Sequence, residues 1–286
     1  MTRVGAVFSP YQHAPEAFEP AVHAAEAAGV PELWIWEDCF RESAFASVGA
    51  ALAWTKNLKV GLGIAPMPLR NVALMAMEIA TVERIFPGRF FPGVGHGVQS
   101  WMGQTGAKVA SPLTLMREYI PALQSLLAGD EVTAAGRYVN LDKVKLDYPP
   151  AVAPPIYGAG VGPKSLMASG EVAGGTILVG DQTPAEMATQ IAHVRAGGAN
   201  ETHEIIGYVT SAFGEGAEQR IQAEFAEKGA EDDRGLWGTP AEVAAGVQRF
   251  ASAGVSAVIL VPTSDDPDFH AFLAGVGEVA RLVAGD

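Results

Sequence analysis

The chain has 286 residues, of which 49% are hydrophobic and 18% charged, and its formal net charge is −13. That acidity argues against non-specific attraction to nucleic acid or anionic membranes, and a charged share below the usual value of about 25% points to a compact, enzyme-like body. A single cysteine, Cys39, excludes an intrachain disulfide and a cysteine-based zinc site. No apolar run approaches the roughly 18 residues of a membrane span, and the first residues lack the apolar stretch of a signal peptide. A cytoplasmic protein is expected.

In chain order, short apolar runs alternate with amphipathic stretches, as in repeated βα units. Arg3–Ser9 reads as the first strand, and a helix opens at Pro15 and ends near Gly29, a glycine suited to the C-cap. Leu33–Glu37 is the second strand, followed by a helix over Ser43–Trp54 with Ser43 placed as its cap. Lys59–Met67 is the third, and Asn71 caps a helix running to about Phe86. Arg89–Gly95 is the fourth, followed by a helix near Pro112–Leu127 and a hairpin over Gly136–Asp147. Pro154–Gly160, Thr176–Gly180, Glu204–Phe213 and Val255–Val261 complete the strands. Helices are expected over Pro163–Val172, Pro184–Ala196, Ala217–Lys228, from Thr239-Pro240, and over Asp268–Val283.

Eight strands alternating with helices close most simply into a (β/α)8 (TIM) barrel. The competing open, doubly wound sheet needs a glycine turn after the first strand, where Ser9-Pro10-Tyr11-Gln12-His13 stands instead. No linker or low-complexity segment divides residues 1–286, so one domain is expected.

Three segments carry candidate chemistry. Val60-Gly61-Leu62-Gly63-Ile64-Ala65 and Gly93-Val94-Gly95-His96-Gly97 put glycines at the ends of the third and fourth strands. Such glycines either admit a planar ligand close to the backbone or ease barrel closure. Gly158-Ala159-Gly160-Val161-Gly162-Pro163-Lys164-Ser165 runs from a strand into a helix whose free N–H groups attract phosphate. It falls short of a P-loop because Pro163 replaces the second glycine, and a plain tight turn is the competing reading. The second strand exits through Trp36-Glu37-Asp38-Cys39-Phe40, with Trp34 and Trp36 on one side and an acidic pair at the end where barrels place active-site groups. Glu37, Asp38 and His96 are the candidates for proton transfer, against an acidic turn and a structural histidine. Trp101, Met102 and Phe40 are candidates to roof a pocket.

In combination, Gly61-Leu62-Gly63-Ile64, Ala80-Thr81-Val82-Glu83, Gly88-Arg89-Phe90, Gly93-Val94-Gly95-His96-Gly97, Gly160–Lys164, Gly175-Thr176-Ile177-Leu178 and Gly238-Thr239-Pro240-Ala241-Glu242-Val243 resemble the luciferase-like flavin and deazaflavin oxidoreductases over nearly the whole chain. One departure is Ala173-Gly174-Gly175, where relatives carry Ala-Asp-Gly. The family divides between enzymes of flavin mononucleotide (FMN) and of the deazaflavin coenzyme F420, and this compact chain looks most similar to the F420-dependent branch. The resemblance implies a ring across the barrel mouth over Gly63, Ile64 and Ala65 and beside Gly95, His96 and Gly97, backed by a non-prolyl cis peptide at Gly63–Ile64. It also implies a phosphate on Gly160, Gly162, Lys164 and Ser165, with Val161 and Pro163 in the same cofactor-binding turn, and an acidic residue or histidine near the reactive edge of the ring, a place held by Glu37 and Asp38.

The expected function is F420-dependent hydride transfer to or from a small organic substrate, with Asp38, Glu37 or His96 handling the proton. An FMN-dependent monooxygenase and a non-catalytic flavin-binding barrel are the alternatives. Arg41, Arg70, Lys108 and Lys164 are the cations expected to meet an anionic cofactor, and a homodimer is expected.

Overall fold

The computed structural model describes residues 2–230 and 234–285. Eight parallel strands form the barrel: β1 (Arg3–Phe8), β2 (Glu32–Ile35), β3 (Lys59–Pro66), β4 (Phe90–Gly95), β7 (Tyr157–Gly160), β8 (Gly175–Leu178), β9 (Glu204–Phe213) and β11 (Ala257–Pro262). They neighbour one another in that order, β1 pairs with β11, and β8 pairs with β9, so the ring closes. An antiparallel hairpin, β5 (Val132–Ala135) with β6 (Asn140–Val144), lies outside it, and β10 (Leu236–Gly238) extends the far end of β9.

Alternation along each strand divides the apolar residues into two layers. One set packs outward against the helices, among them α1 (Phe18–Ala27), α2 (Ala44–Trp54), α3 (Val72–Ile85), α5 (Pro112–Ala128) and α10 (Phe269–Ala284). The other fills the barrel: Val7, Trp34, Tyr157, Ile177, Ile206, Tyr208 and Ile259, with Trp36, Ile64 and Phe91 at its margins. Gly61 lies between Trp34 and Phe91 in register, and the two rings stack across it at 6.0 Å. A Cβ on Gly61 would stand 2.1 Å from the indole. This glycine therefore serves interior packing, and of the two sequence readings barrel closure holds for it.

Polar groups seal the N-terminal floor. Arg3 Nε donates to Glu32 at 2.9 Å, its other nitrogens pair with Glu204, and Tyr157 Oη donates to Glu204. Trp34 Nε1 donates to Glu32 at 2.8 Å. The barrel interior is thus closed below by packed rings and ion pairs.

Several helix starts follow local chemistry. Asn71 caps α3 by accepting from Ala73 N, and Thr183 and Thr239 form capping boxes with Glu186 and Glu242 on α7 (Pro184–Ala196) and α9 (Pro240–Ser252). Ser43 departs from expectation. It occupies the N-cap of α2 without a side-chain cap bond, and Glu37 Oε2 takes the Ala44 N–H at 3.1 Å instead. The hairpin also shifts: Gly136 is its turn, not its start, because Glu118 accepts from Arg137, Tyr138 and Val139 N–H and holds the chain there. A short helix, α4 (Gln99–Gln104), and strand β10 carry too few residues for a periodic signal.

Between the barrel and α6 (Pro163–Val172), Ser169 Oγ, Thr176 Oγ1 and His203 Nε2 form a buried chain at 2.7 and 2.8 Å. Burial, helped by the Arg195 charge, holds the imidazole down at about 4. The unfolded chain takes up this proton near pH 6.5, so folding stability is full above that value and falls as pH drops toward 4. Between pH 7.5 and 5.0 the expected loss is about 2 kcal/mol. Urea unfolding of His203→Gln beside the parent chain measures it; an equal acid loss in the variant would assign the sensitivity to other groups.

Candidate functional site

The C-terminal ends of β2, β3, β4 and β7 are consecutive around the ring, so the segments singled out in the sequence converge on one arc of the barrel mouth. At the β2 exit the acidic pair separates. Glu37 is buried, receives both terminal nitrogens of Arg70, and accepts from Ala44 N. Arg70 Nε also reaches Glu78 at 3.0 Å. Glu37 thereby ties the β2 exit to the starts of α2 and α3, and Arg70, expected to face an anionic cofactor, is consumed by two carboxylates.

Asp38 is half-buried at the mouth. Tyr11 Oη, from the loop after β1, donates to Asp38 Oδ2 at 2.7 Å, and the Arg41 guanidinium lies 4.1 Å over the Tyr11 ring. Burial pushes the Asp38 carboxyl above its ordinary value, against the lowering effects of Tyr11 and Arg41. A carboxyl so placed takes a proton more readily than in water while keeping a fixed orientation. A cis peptide at Cys39–Phe40 follows.

At the β3 exit the Gly63–Ile64 peptide is cis, and the β3–β4 register shifts between Leu62 and Ala65. Beneath it the Tyr208 side chain rises from β9, and a Cβ on Gly63 would stand 1.8 Å from Tyr208 Oη. Ala65 beside Val94 and Pro66 beside Gly95 continue the two strands, and Gly97 turns with φ +66°. His96 stands between, with both ring nitrogens shielded from solvent and without a hydrogen-bond partner among the described residues. Its pKa is lowered by burial, which favours the neutral imidazole.

β7 pairs with β4, bringing Gly160 to the same arc. Gly162 is the N-cap of α6, Pro163 its first residue, and Val161, Gly162 and Lys164 face solvent while Ser165 is half-buried. The first amides of a helix have no intrahelical acceptor and carry the positive end of its dipole, so this end of α6 suits a phosphate.

The opposite half of the mouth gave no sequence signal. Gln12 Nε2 donates to Thr263 O at 2.6 Å, and Thr210 Oγ1 donates to Asp181, which Lys228 meets at 2.8 Å. Gln12 Oε1, Gln182 Oε1 and Thr263 Oγ1 join the His96 nitrogens as shielded polar atoms without a partner among the described residues, and the shielded Tyr208 hydroxyl lies against the Trp36 side chain. Buried polar groups are ordinarily paired, and several of the exceptions lie at the strand exits of this opening. Of the expected roof, Phe40 is exposed and Trp101 half-buried, while Met102 is core, packed beneath Gly97. A larger cavity, about 660 Å³, lies at the other end, among Pro87, Phe90, Phe91 and Val152–Pro155. Its wall is mostly apolar, with Glu83 and Arg84 as its charged groups, and it lies away from the C-terminal strand ends.

A family model described as luciferase-like monooxygenase matches residues 2–219. The 5,10-methylenetetrahydromethanopterin reductase of Methanolobus tindarius is 30% identical over 173 residues, covering 60% of this chain and 52% of that protein. The F420-dependent hydroxymycolic acid dehydrogenase of Mycobacterium tuberculosis is 28% identical over 186 residues, covering 61% and 52%. The chain thus spans about half the length of the curated relatives it matches. Among solved structures, an F420-dependent secondary alcohol dehydrogenase in complex with an F420–acetone adduct superposes with a TM-score of 0.86 at 22% identity, covering 99% of both chains. That likeness establishes the barrel fold. Among the described residues no helix is long and apolar enough to cross a membrane.

Proposed function

Because the chain belongs to the luciferase-like monooxygenase family, we propose that it is an F420-dependent oxidoreductase acting on a small organic substrate at the barrel mouth. The observation that carries this reading is the shielded, unpartnered His96 imidazole at the β4 exit together with the cis Gly63–Ile64 step at the adjoining β3 exit. A flat, heteroatom-rich ring over Gly63, Ile64 and Ala65 supplies hydrogen-bonding groups that such atoms lack. The residues present therefore fit the cofactor. The relatives named above for F420 support that choice over FMN.

Bound F420 supplies a carbon that gives or accepts a hydride. The chain's own part is binding, orientation and proton handling. Gly160, Gly162, Lys164 and Ser165 would hold the phosphate at the start of α6, with Val161 and Pro163 completing the turn and Lys164 adding positive charge. Gly95, His96 and Gly97 flank the ring. Asp38 holds or releases the proton at its carboxyl, kept in place by the Tyr11 hydroxyl. Glu37 positions this loop through Arg70 and does not itself meet the substrate.

Gly162→Asp tests the phosphate assignment. Gly162 has φ −83° and nothing within 4 Å of an added Cβ, so the fold accepts a side chain there. Aspartate is a favourable N-cap, so stability should hold or rise. Its carboxylate beside a phosphate should weaken F420 binding by about tenfold or more. Fluorescence titration alongside thermal unfolding reads both; unchanged affinity in a stable variant would move the phosphate elsewhere.

A further inference from the structure

The cavity of about 660 Å³ at the N-terminal end of the barrel lies between the end of α3, the Pro87-Gly88 turn, the start of β4 and residues 151–155 before β7. Its size falls within the range of small-molecule sites, about 300–1,000 Å³. Pro87, Phe90, Phe91, Val152, Pro154 and Pro155 form most of the wall. The prolines have no N–H with which to hold water. Phe91 is braced from inside the barrel, where it stacks on Trp34 at 6.0 Å. Arg84 Nη1 donates to Pro149 O at 3.0 Å and its guanidinium lies 5.5 Å from the centre of the Tyr148 ring, which ties the proline-rich segment to α3. Val152 is nonetheless 80% exposed.

The charge of this groove opposes that of the chain. Glu83 turns inward: its Oε2 accepts from Gly88 N at 2.9 Å and its Oε1 is shielded from solvent. The exposed charge in the wall is therefore the Arg84 guanidinium, which meets a backbone carbonyl and no carboxylate among the described residues. Lys59, also exposed, brings its Nζ to 5.6 Å from the centre of the Phe91 ring. Arg3 lies over the same ring and is itself paired with Glu32 and Glu204. In a chain of net charge −13, Arg84 and Lys59 beside one apolar groove are a local reversal of sign. The complementary ligand has a hydrocarbon body and an anionic end. We propose that this groove binds a medium-chain aliphatic carboxylate, with its head on Arg84 and its chain along Phe91, Val152 and Pro155. The groove lies at the opposite end of the barrel from the mouth, so this site stands apart from the oxidoreductase reading.

Calorimetric titration of the full chain at low ionic strength, where charge pairs are least screened, compares octanoate, 1-octanol and octylammonium. The three probes share a chain length and differ in charge. Octanoate should bind about threefold to fivefold more tightly than octanol, the worth of an exposed ion pair. Octylammonium should bind most weakly, although non-specific attraction to an acidic chain would rank it first. Val152→Asp adds a carboxylate to the wall at an exposed position. It should weaken octanoate about tenfold, through lost apolar contact and like-charge repulsion. Arg84→Met keeps an apolar stem and should bring octanoate down to the affinity of octanol. Thermal unfolding checks that both variants are folded. Octanoate binding no tighter than octylammonium, or unchanged in either folded variant, would overturn the site.

Discussion

Asp38→Asn is expected to slow F420-dependent turnover by about 10²–10⁴-fold, the usual contribution of a positioned acid or base, while leaving F420 affinity nearly unchanged. The carboxyl stands at the β2 exit, its protonation is favoured by burial, and Tyr11 fixes its direction at 2.7 Å. Asparagine keeps the size and a hydrogen-bond acceptor for Tyr11 and removes the exchangeable proton. Stopped-flow measurement of F420 oxidation or reduction separates this step from binding. Tyr11→Phe should slow the reaction less, because it removes only the orienting bond. His96→Ala should act mainly on F420 affinity, since the imidazole at the β4 exit has no partner of its own among the described residues. If Asp38→Asn turns over normally and His96→Ala does not, the proton belongs to His96.

Glu37→Ala is expected to cost about 3 kcal/mol of stability, at the lower end for breaking a buried ion pair because Arg70 retains Glu78. The Ala44 N–H at the head of α2 loses its acceptor as well. For a chain of this length the melting temperature should fall by roughly 5 °C. Turnover per folded molecule should fall far less than in Asp38→Asn. A Glu37→Ala protein that melts normally and has lost turnover by the Asp38→Asn margin would return the proton role to Glu37.

The division of labour between these neighbouring carboxylates marks where sequence reading ends. Trp34 and Trp36 point into the barrel as strand alternation predicts, and the Gly160–Ser165 turn opens a helix as its glycines and Pro163 predict, because both are local rules of geometry. The acidic pair obeys no local rule. Glu37 is fixed by Arg70, thirty-three residues on, and Asp38 by Tyr11, twenty-seven residues back. Those pairings arise only when β1, β2 and β3 take their register. Ser43 looked like a cap for the same reason: its own sequence neighbourhood supports it, and the competing acceptor arrives from the strand end. Gly61 and Gly63 likewise look alike in sequence. One clears the Trp34 indole and the other the Tyr208 hydroxyl from β9, and Tyr208 sits in an apolar strand with no motif around it. Signals for Gln12, Gln182 and Thr263 were absent because an unpartnered polar atom is a property of the assembled mouth.

The central claim, that this mouth is built for F420, is tested most directly by titrating the purified chain with F420 and with FMN separately under the same conditions. Tight F420 binding with FMN binding weaker by an order of magnitude or more is the predicted result. A chain that retains FMN through purification and shows no change on adding F420 would contradict it.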